Sequence, residues 1–224
     1  MPVALITGAS KGFGLAVASA LAERGWSLVL DARGGPQLEQ AAGRLGATLV
    51  TGDVADPGHR AELVAAVRVH GKLDLLLNSA STLGPGLQPL ATFDLAELRR
   101  VFEVDVLAPL ALVQELLALL EGGTVVNVSS DAAVEAYEGW GGYGSAKSAL
   151  DQLTAVLAAE QPGVRVHALD PGDMRTDLHQ QAFPGQDISD RHEPATVVPA
   201  LLWLLDSRPA SGRYRAGELL TAAR

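Results

Sequence analysis

The sequence predicts an α/β fold: a Rossmann-like, doubly wound parallel sheet of about seven strands with helices on both faces, in a single domain over residues 1–224. Three observations predict it. Short apolar runs alternate with longer stretches of helical period along the whole chain, and each right-handed parallel crossover needs such a helix. Several of the short runs are nearly continuous in apolar residues, as strands covered on both faces are. A glycine-rich turn, Thr7-Gly8-Ala9-Ser10-Lys11-Gly12-Phe13-Gly14, joins the first run to the first helical stretch.

The elements follow in order. Val3–Thr7 is the first strand. The helix after the glycine turn carries Leu15, Val17, Ala18, Leu21 and Ala22, and Gly25 stops it as a C-terminal glycine does. Leu28–Asp31 and Ala47–Thr51 are the next strands, and Asp56-Pro57 sets a capping carboxylate before a proline at the first helical position. Leu73–Asn78 is the fourth strand. Asp94-Leu-Ala-Glu97 is a capping-box variant, opening a helix that runs towards Leu120 and that Pro109 bends. Thr124–Ser129 and Val164–Leu169 are strands, Glu193-Pro194 opens a last helix through Leu205, and a seventh strand is placed at Glu218–Leu220. Asp173–Glu193 has no clear period and is rich in Asp, His, Gln, Gly and Pro; it reads as a lid.

Composition excludes several function classes. With 224 residues, 48% apolar, the chain is long enough for one real core. It has no cysteine, which removes disulfides, thiolate metal sites and a thiol nucleophile. A net charge of −9 repels polyphosphate, and 4% aromatics leave few bases a stacking surface, so no nucleic-acid partner is expected. The longest apolar stretch, Val104–Leu120, holds Asp105, Gln114 and Glu115 and is too short and polar to span a bilayer. The start lacks the basic region of a signal peptide. These points predict a soluble, cytoplasmic protein with no membrane partner.

Two constellations carry chemistry. Glycines in the first turn let the backbone approach a pyrophosphate, which the following helix N-terminus attracts. Tyr143 and Lys147 are an i, i+4 pair on one helical face, and Ser130 follows a strand at the carboxyl end of the sheet, where open α/β folds bind ligands. A phenol near pKa 10 is a poor acid–base group at neutral pH. Bringing it to about 7 takes ~4 kcal/mol, within reach of an ammonium and an oxidised nicotinamide at ~4–6 Å.

These residues resemble the short-chain dehydrogenase/reductase family, in its single-domain branch, over essentially the whole chain. Gly8, Gly12 and Gly14 match its TGxxxGxG turn, in which Ser10, Lys11 and Phe13 also lie. Asp53-Val54 matches the pair that holds the adenine ring, and Asn78-Ser79-Ala80-Ser81 matches an Asn-Asn-Ala-Gly motif with its second Asn and its Gly replaced. Ser130, Tyr143 and Lys147 match the catalytic residues, the thirteen-residue spacing to Tyr143 selecting Ser130 over Ser129. Pro171-Gly172-Asp173-Met174-Arg175-Thr176 matches the segment that contacts the nicotinamide, which Pro171, Gly172, Met174 and Thr176 would do here. The resemblance implies that Tyr143 exchanges a proton with the substrate oxygen, Lys147 lowers its pKa and binds the nicotinamide ribose, and Ser130 hydrogen-bonds the carbonyl. The family's fourth catalytic residue is an Asn, and it aligns with Asp105, whose carboxylate would raise the Tyr143 pKa if it pointed inward.

The cofactor expected is NADP, with NAD as the alternative. Asp31, about 20 residues after the glycine turn, suits NAD on the ribose rule. By the resemblance, the selecting acid falls instead at Ala32, while Arg33 and Lys11 occupy positions where NADP-preferring members carry bases. No metal is expected, since His179, Asp187 and His192 lack tight ligand spacing. Trp140 either lines the pocket or packs, and Leu201–Leu205 either faces a subunit partner or, as the simpler account, is buried helix packing. A homo-oligomer is implied by the resemblance alone. The function expected is NADP-dependent interconversion of a small-molecule carbonyl and a secondary alcohol. The alternatives are a nucleotide-binding regulator without turnover and an epimerase or dehydratase relative; the full Ser130, Tyr143 and Lys147 set weighs against the regulator, and the short chain against the other. Ser81–Gln88, Asp131–Gly142 and Asp173–Glu193 are the loops on which the substrate depends.

Overall fold

The computed structural model describes residues 1–222. Seven parallel strands form one sheet: β1 (Val3–Ile6), β2 (Ser27–Ala32), β3 (Thr48–Thr51), β4 (Leu75–Asn78), β5 (Thr124–Val128), β6 (Arg165–Asp170) and β7 (Gly212–Arg215), in the order β3-β2-β1-β4-β5-β6-β7. The order reverses between β1 and β4, which opens a crevice at the carboxyl edge of the sheet. Helices α1 (Gly12–Glu23), α2 (Pro36–Leu45), α3 (Pro57–Arg68), α4 (Leu95–Phe102), α5 (Ala108–Leu116), α6 (Gly141–Glu160), α7 (Asp177–Ala182), α8 (Val198–Ser207) and α9 (Ala216–Ala222) follow in chain order.

Strand alternation sorts the core into two layers. Ala4 and Ile6 of β1 pack with Val17, Leu21 and α8 residues Leu201 and Leu204 on one face. Val3 and Leu5 pack with Leu63, Val67, Leu112 and Leu116 on the other. The Leu201–Leu205 run is therefore helix packing, as its sequence suggests: Leu201 and Leu204 are fully buried and its other members pack against them. The helix signals act as expected. Gly25 has φ +75 and donates to Ala22 O, while the Trp26 amide reaches Leu21 O, closing α1. Asp56 caps α3 through Gly58 N, and Asp94 caps α4 through the amides of Ala96 and Glu97.

Six strands lie within two residues of their predicted runs. The seventh does not: Glu218–Leu220 belongs to α9, where Leu219 is buried against the α8 layer, and the strand is Gly212–Arg215. Its Gly-Arg-Tyr-Arg sequence has no apolar run because it is an edge strand with one neighbour, β6. The segment after Asp94 is not one α-helix bent at Pro109. It changes to a π-helical turn at Glu103–Leu107, and Pro109 sits in the first turn of α5, where its missing N–H costs nothing. Glu193-Pro194 starts a 3-10 turn before α8, and α8 is followed by α9 rather than being the last helix.

His167 on β6 is fully buried, packs edge-on to Tyr214 at 5.5 Å, and neither ring nitrogen has a partner. Burial, with Arg165 nearby, pushes its pKa down from 6.5 to about 4. A histidine depressed on folding binds its proton better when unfolded, so stability is lost as pH falls from 6.5 towards 4. Replacing His167 by Leu is expected to remove on the order of 2 kcal/mol of that pH dependence, read from urea melts of both proteins across this window.

Candidate active site

A cleft of about 1040 Å³ runs along the carboxyl edge of the sheet. Its walls hold the glycine turn, the ends of β2, β4 and β5, the start of α6 and the segment after β6. Of the residues singled out in the sequence, Gly8, Ser10, Lys11, Gly12, Phe13, Arg33, Asp53, Val54, Ser79, Ala80, Ser130, Tyr143, Lys147, Pro171, Gly172, Met174 and Thr176 all line it. Gly14, Asn78 and Asp105 stand behind it, each for a different reason.

Gly14 packs on the back of the turn, where a Cβ would lie 2.6 Å from Gly8 O. Gly8 has φ +67, and a Cβ there would meet Ala80 N at 2.8 Å. The Thr7 hydroxyl accepts from the amides of Ser79 and Ala80, tying the turn to the strand that follows it in space. The turn delivers the chain to α1, which has no side-chain cap and no acid in its first turn. Its first amides are free, which fits the pyrophosphate of a dinucleotide.

Asn78 turns into the sheet. Its amide donates to Asn127 Oδ1 at 2.8 Å, Asn127 donates to Thr154 Oγ1, and the Thr154 hydroxyl reaches Leu150 O. This buried chain of bonds fixes the height of α6 against β4 and β5.

Asp105 lies in the π-helical turn, fully buried, with its Oδ1 3.4 Å from Lys147 Nζ. The turn's extra residue carries this carboxylate inward under the cleft. Lys147 is itself 2% exposed, donates to Val128 O at 2.9 Å and stands 5.4 Å from the centre of the Tyr143 ring. Burial pushes the Asp105 carboxyl up despite Lys147, Ser81 and the Thr82 amide. Burial alone would lower Lys147, but Asp105 and Tyr143 outweigh it and hold the ammonium charged. Burial also pushes the Tyr143 phenol above 10; Lys147 pulls it down, and Asp105 opposes that pull. The two departures from the family motifs therefore meet here: the Ser81 hydroxyl lies near both Asp105 and Tyr143 and favours the charged form of each.

Ser130 caps a 3-10 turn after β5, with Oγ accepting from Ala132 N and donating to Asp131 Oδ1 at 3.0 Å. Its carbonyl accepts from Arg213 of β7, which also pairs with Asp151 of α6 and Asp170 of β6. Trp140 both lines the cleft and packs edge-on to Tyr143 at 5.8 Å, beside Phe183.

Sequence reasoning missed the partners that set the charge of this cleft. Asp31 is 1% exposed and bound to His59 Nε2 at 2.5 Å, in a space that Gly52 leaves open. Burial raises its pKa to about 6. Burial would also raise Asp53, but the Ala55 amide and Arg100, with which it is paired, hold it below its usual value. Lys11 is matched by Asp177 at 2.5 Å and Arg175 by Glu193. Arg33 lines the cleft exposed, with no ion-pair partner among the described residues. No local pattern marks such pairs, because they join segments far apart in sequence.

The segment 173–193 crosses the cleft. Met174 bridges to His192 and the Arg175 amide donates to His192 O, closing its base. Asp177 holds it to the glycine turn, and Gln181 donates to Gly84 O on the opposite wall. Among the described residues no helix is long and apolar enough to cross a membrane.

The short chain dehydrogenase family model matches residues 2–187. Mouse (Mus musculus) sepiapterin reductase is 35% identical over 201 residues, 80% of this chain and 77% of that protein. The uncharacterized oxidoreductase YciK of Escherichia coli K12 is 31% identical, covering 94% of this chain and 89% of its own. A short chain dehydrogenase from Escherichia coli CFT073, solved with NADPH, superposes with a TM-score of 0.89 at 30% identity, over 96% of each chain.

Proposed function

The chain belongs to the short chain dehydrogenase family, and from that premise we propose that it is an NADP-dependent oxidoreductase interconverting a small-molecule carbonyl and a secondary alcohol. The observation that carries this reading is the meeting of Ser130, Tyr143 and Lys147 on one wall of a cleft whose far end is the uncapped start of α1. Relatives named sepiapterin reductase and a neighbour solved with NADPH support it.

A nicotinamide held in this cleft would supply or accept the hydride. The chain does the rest. Tyr143 gives its phenolic proton to the carbonyl oxygen in reduction and takes it back in oxidation. Lys147 holds a positive charge beside that phenol, fixed by Val128 O and Asp105. Ser130 donates to the substrate oxygen as charge develops on it. The glycine turn and the amides of α1 would hold the pyrophosphate, and Ser79, Ala80, Asp53 and Val54, which line the same cleft, would border the adenosine. Pro171, Gly172, Met174 and Thr176 border the nicotinamide end, and the 173–193 segment acts as a lid that excludes water.

Arg33 selects the 2′-phosphate. The other cations along the cleft are already matched, Lys11 by Asp177, Arg100 by Asp53, Lys147 by Asp105 and Arg175 by Glu193. Asp31 is turned to His59 rather than left free to repel a phosphate. The test is NADPH and NADH saturation against a panel of ketones and aldehydes. NADPH is expected to be preferred, and Arg33→Ala to cut the NADPH-to-NADH ratio of kcat/KM by about tenfold or more, the worth of a charge-assisted contact. A wild-type preference for NADH defeats the cofactor assignment.

A further inference from the structure

Resting on that reading, we propose that the substrate is a carbonyl compound carrying a protonated amine one or two carbons from the carbonyl carbon, and that Asp131 is the residue that recognises the amine.

The inference comes from matching charges along the cleft. Each cation and carboxylate that lines it has a named partner, with two exceptions among the described residues. One is Arg33, at the adenosine end. The other is Asp131, beside Ser130, which has hydrogen bonds but no cation. Its Oδ1 accepts from Ser130 Oγ at 3.0 Å and Ala132 N at 2.8 Å, and its Oδ2 accepts from Tyr137 OH at 3.0 Å. A carboxylate offers about four acceptor positions, so one on Oδ2 remains open. Tyr137 is 46% exposed at the mouth of the cleft, and its bond to Asp131 raises its own pKa. The carboxylate is thus reachable from the cleft and still short of positive charge.

The surroundings match a cation with an apolar body. Leu83, Ala132, Trp140, Leu178 and Phe183 make an apolar wall around Tyr143. A carboxylate beside aromatic faces is a setting that favours an ammonium over a neutral group of equal size. Distance sets the spacing within the substrate. Ser130 Oγ and Asp131 Oδ1 are 3.0 Å apart. The open position is on Oδ2, the width of the carboxylate further on, so a carbonyl oxygen on Ser130 and an ammonium on Asp131, each about 2.8 Å from its own partner, suit a link of one or two carbons between the carbonyl carbon and the nitrogen. Binding also arms the site: in the free protein the Ser130 hydroxyl gives its hydrogen to Asp131 Oδ1, and an ammonium on Oδ2 draws the carboxylate's charge away from that bond, which eases the turn of Ser130 to the carbonyl.

The test compares β-dimethylaminopropiophenone with its carbon isostere isocaprophenone, following NADPH consumption at neutral pH. The amine is expected to have a kcat/KM about tenfold or more above the isostere, one charge-assisted contact's worth. Asp131→Asn and Asp131→Ser are both expected to collapse that ratio to within about twofold, whatever they do to the two rates separately. Measurable and equal rates for the pair in the wild type, or a ratio that survives both substitutions, overturns the proposal. A parallel calorimetric measurement on the NADP-loaded protein compares phenylpropylammonium with phenylpropanol. Tighter ammonium binding that is lost in Asp131→Asn supports the amine site even if neither ketone is reduced, a result that would count against the oxidoreductase reading alone. Equal binding of the two overturns the amine site.

Discussion

Tyr143→Phe is expected to lower kcat/KM for carbonyl reduction by about a thousandfold, with the fold and NADPH affinity kept. The substitution removes one oxygen from a ring that is 8% exposed and packed against Trp140, so no cavity opens and α6 keeps its contacts. What is lost is the proton. The other candidate acids at this end, among the described residues, are engaged or misplaced: Ser130 is a far weaker acid, the Tyr137 phenol is bound to Asp131, which raises its pKa, Lys147 is held by Val128 O and Asp105, and Asp105 lies behind the lysine. Single-turnover NADPH oxidation in both proteins, with melting temperatures measured beside it, checks this. Equal rates would remove Tyr143 from the mechanism and with it the proposed function.

Asp105→Asn is expected to move the alkaline limit of reduction down by about one pH unit or more. Reduction needs the phenol protonated. In the wild type, burial and the Asp105 charge both push the phenol up, against Lys147 and the polar pull of Ser130 and Ser81. Asp151 bears on the same balance through Lys147. Removing the Asp105 charge leaves the lysine's pull on the phenol unopposed from below, so the proton leaves at lower pH. Lys147 also loses the partner that holds its ammonium, and its pKa falls under burial. A neutral lysine would let the phenol rise again, so the downward shift of the alkaline limb is carried by the range in which Lys147, still donating to Val128 O, keeps its charge. The pH profile of the alcohol-oxidation direction provides the cross-check: its acidic limb, which needs phenolate, moves down too. A merely structural aspartate would change rates without moving either limb, and such a result would retire Asp105 as a positioning residue.

Much of this site is legible in the sequence because its parts are local. Tyr143 and Lys147 share a helical face by spacing alone, Ser130 is marked by the strand before it, and the glycine turn by its place between the first strand and first helix. The fold was legible for the same reason, since buried parallel strands announce themselves as apolar runs. The edge strand Gly212–Arg215 was not, because its residues answer to distant charges rather than to a core. Glu218–Leu220 looked like a strand because three residues cannot distinguish a strand from one turn of helix. Asp105 was visible as a departure from the family motif, but its approach to Lys147 depends on a π-helical turn with no sequence signature. Asp131 lay within a loop already marked as bearing on the substrate. Its significance emerges only once the surrounding charges are matched, pair by pair, in space.

Arg213 has a consequence for how the molecule is made. Its guanidinium reaches Asp151, Asp170 and the carbonyl of Ser130, so the serine is held by the strand that joins the sheet after every other strand is in the chain. A growing polypeptide can bury β1 to β6 and shape the glycine turn well before Arg213 emerges. A chain cut short before Gly212 keeps β1 to β6 and the glycine turn but loses the guanidinium that ties the Ser130 carbonyl to Asp151 and Asp170.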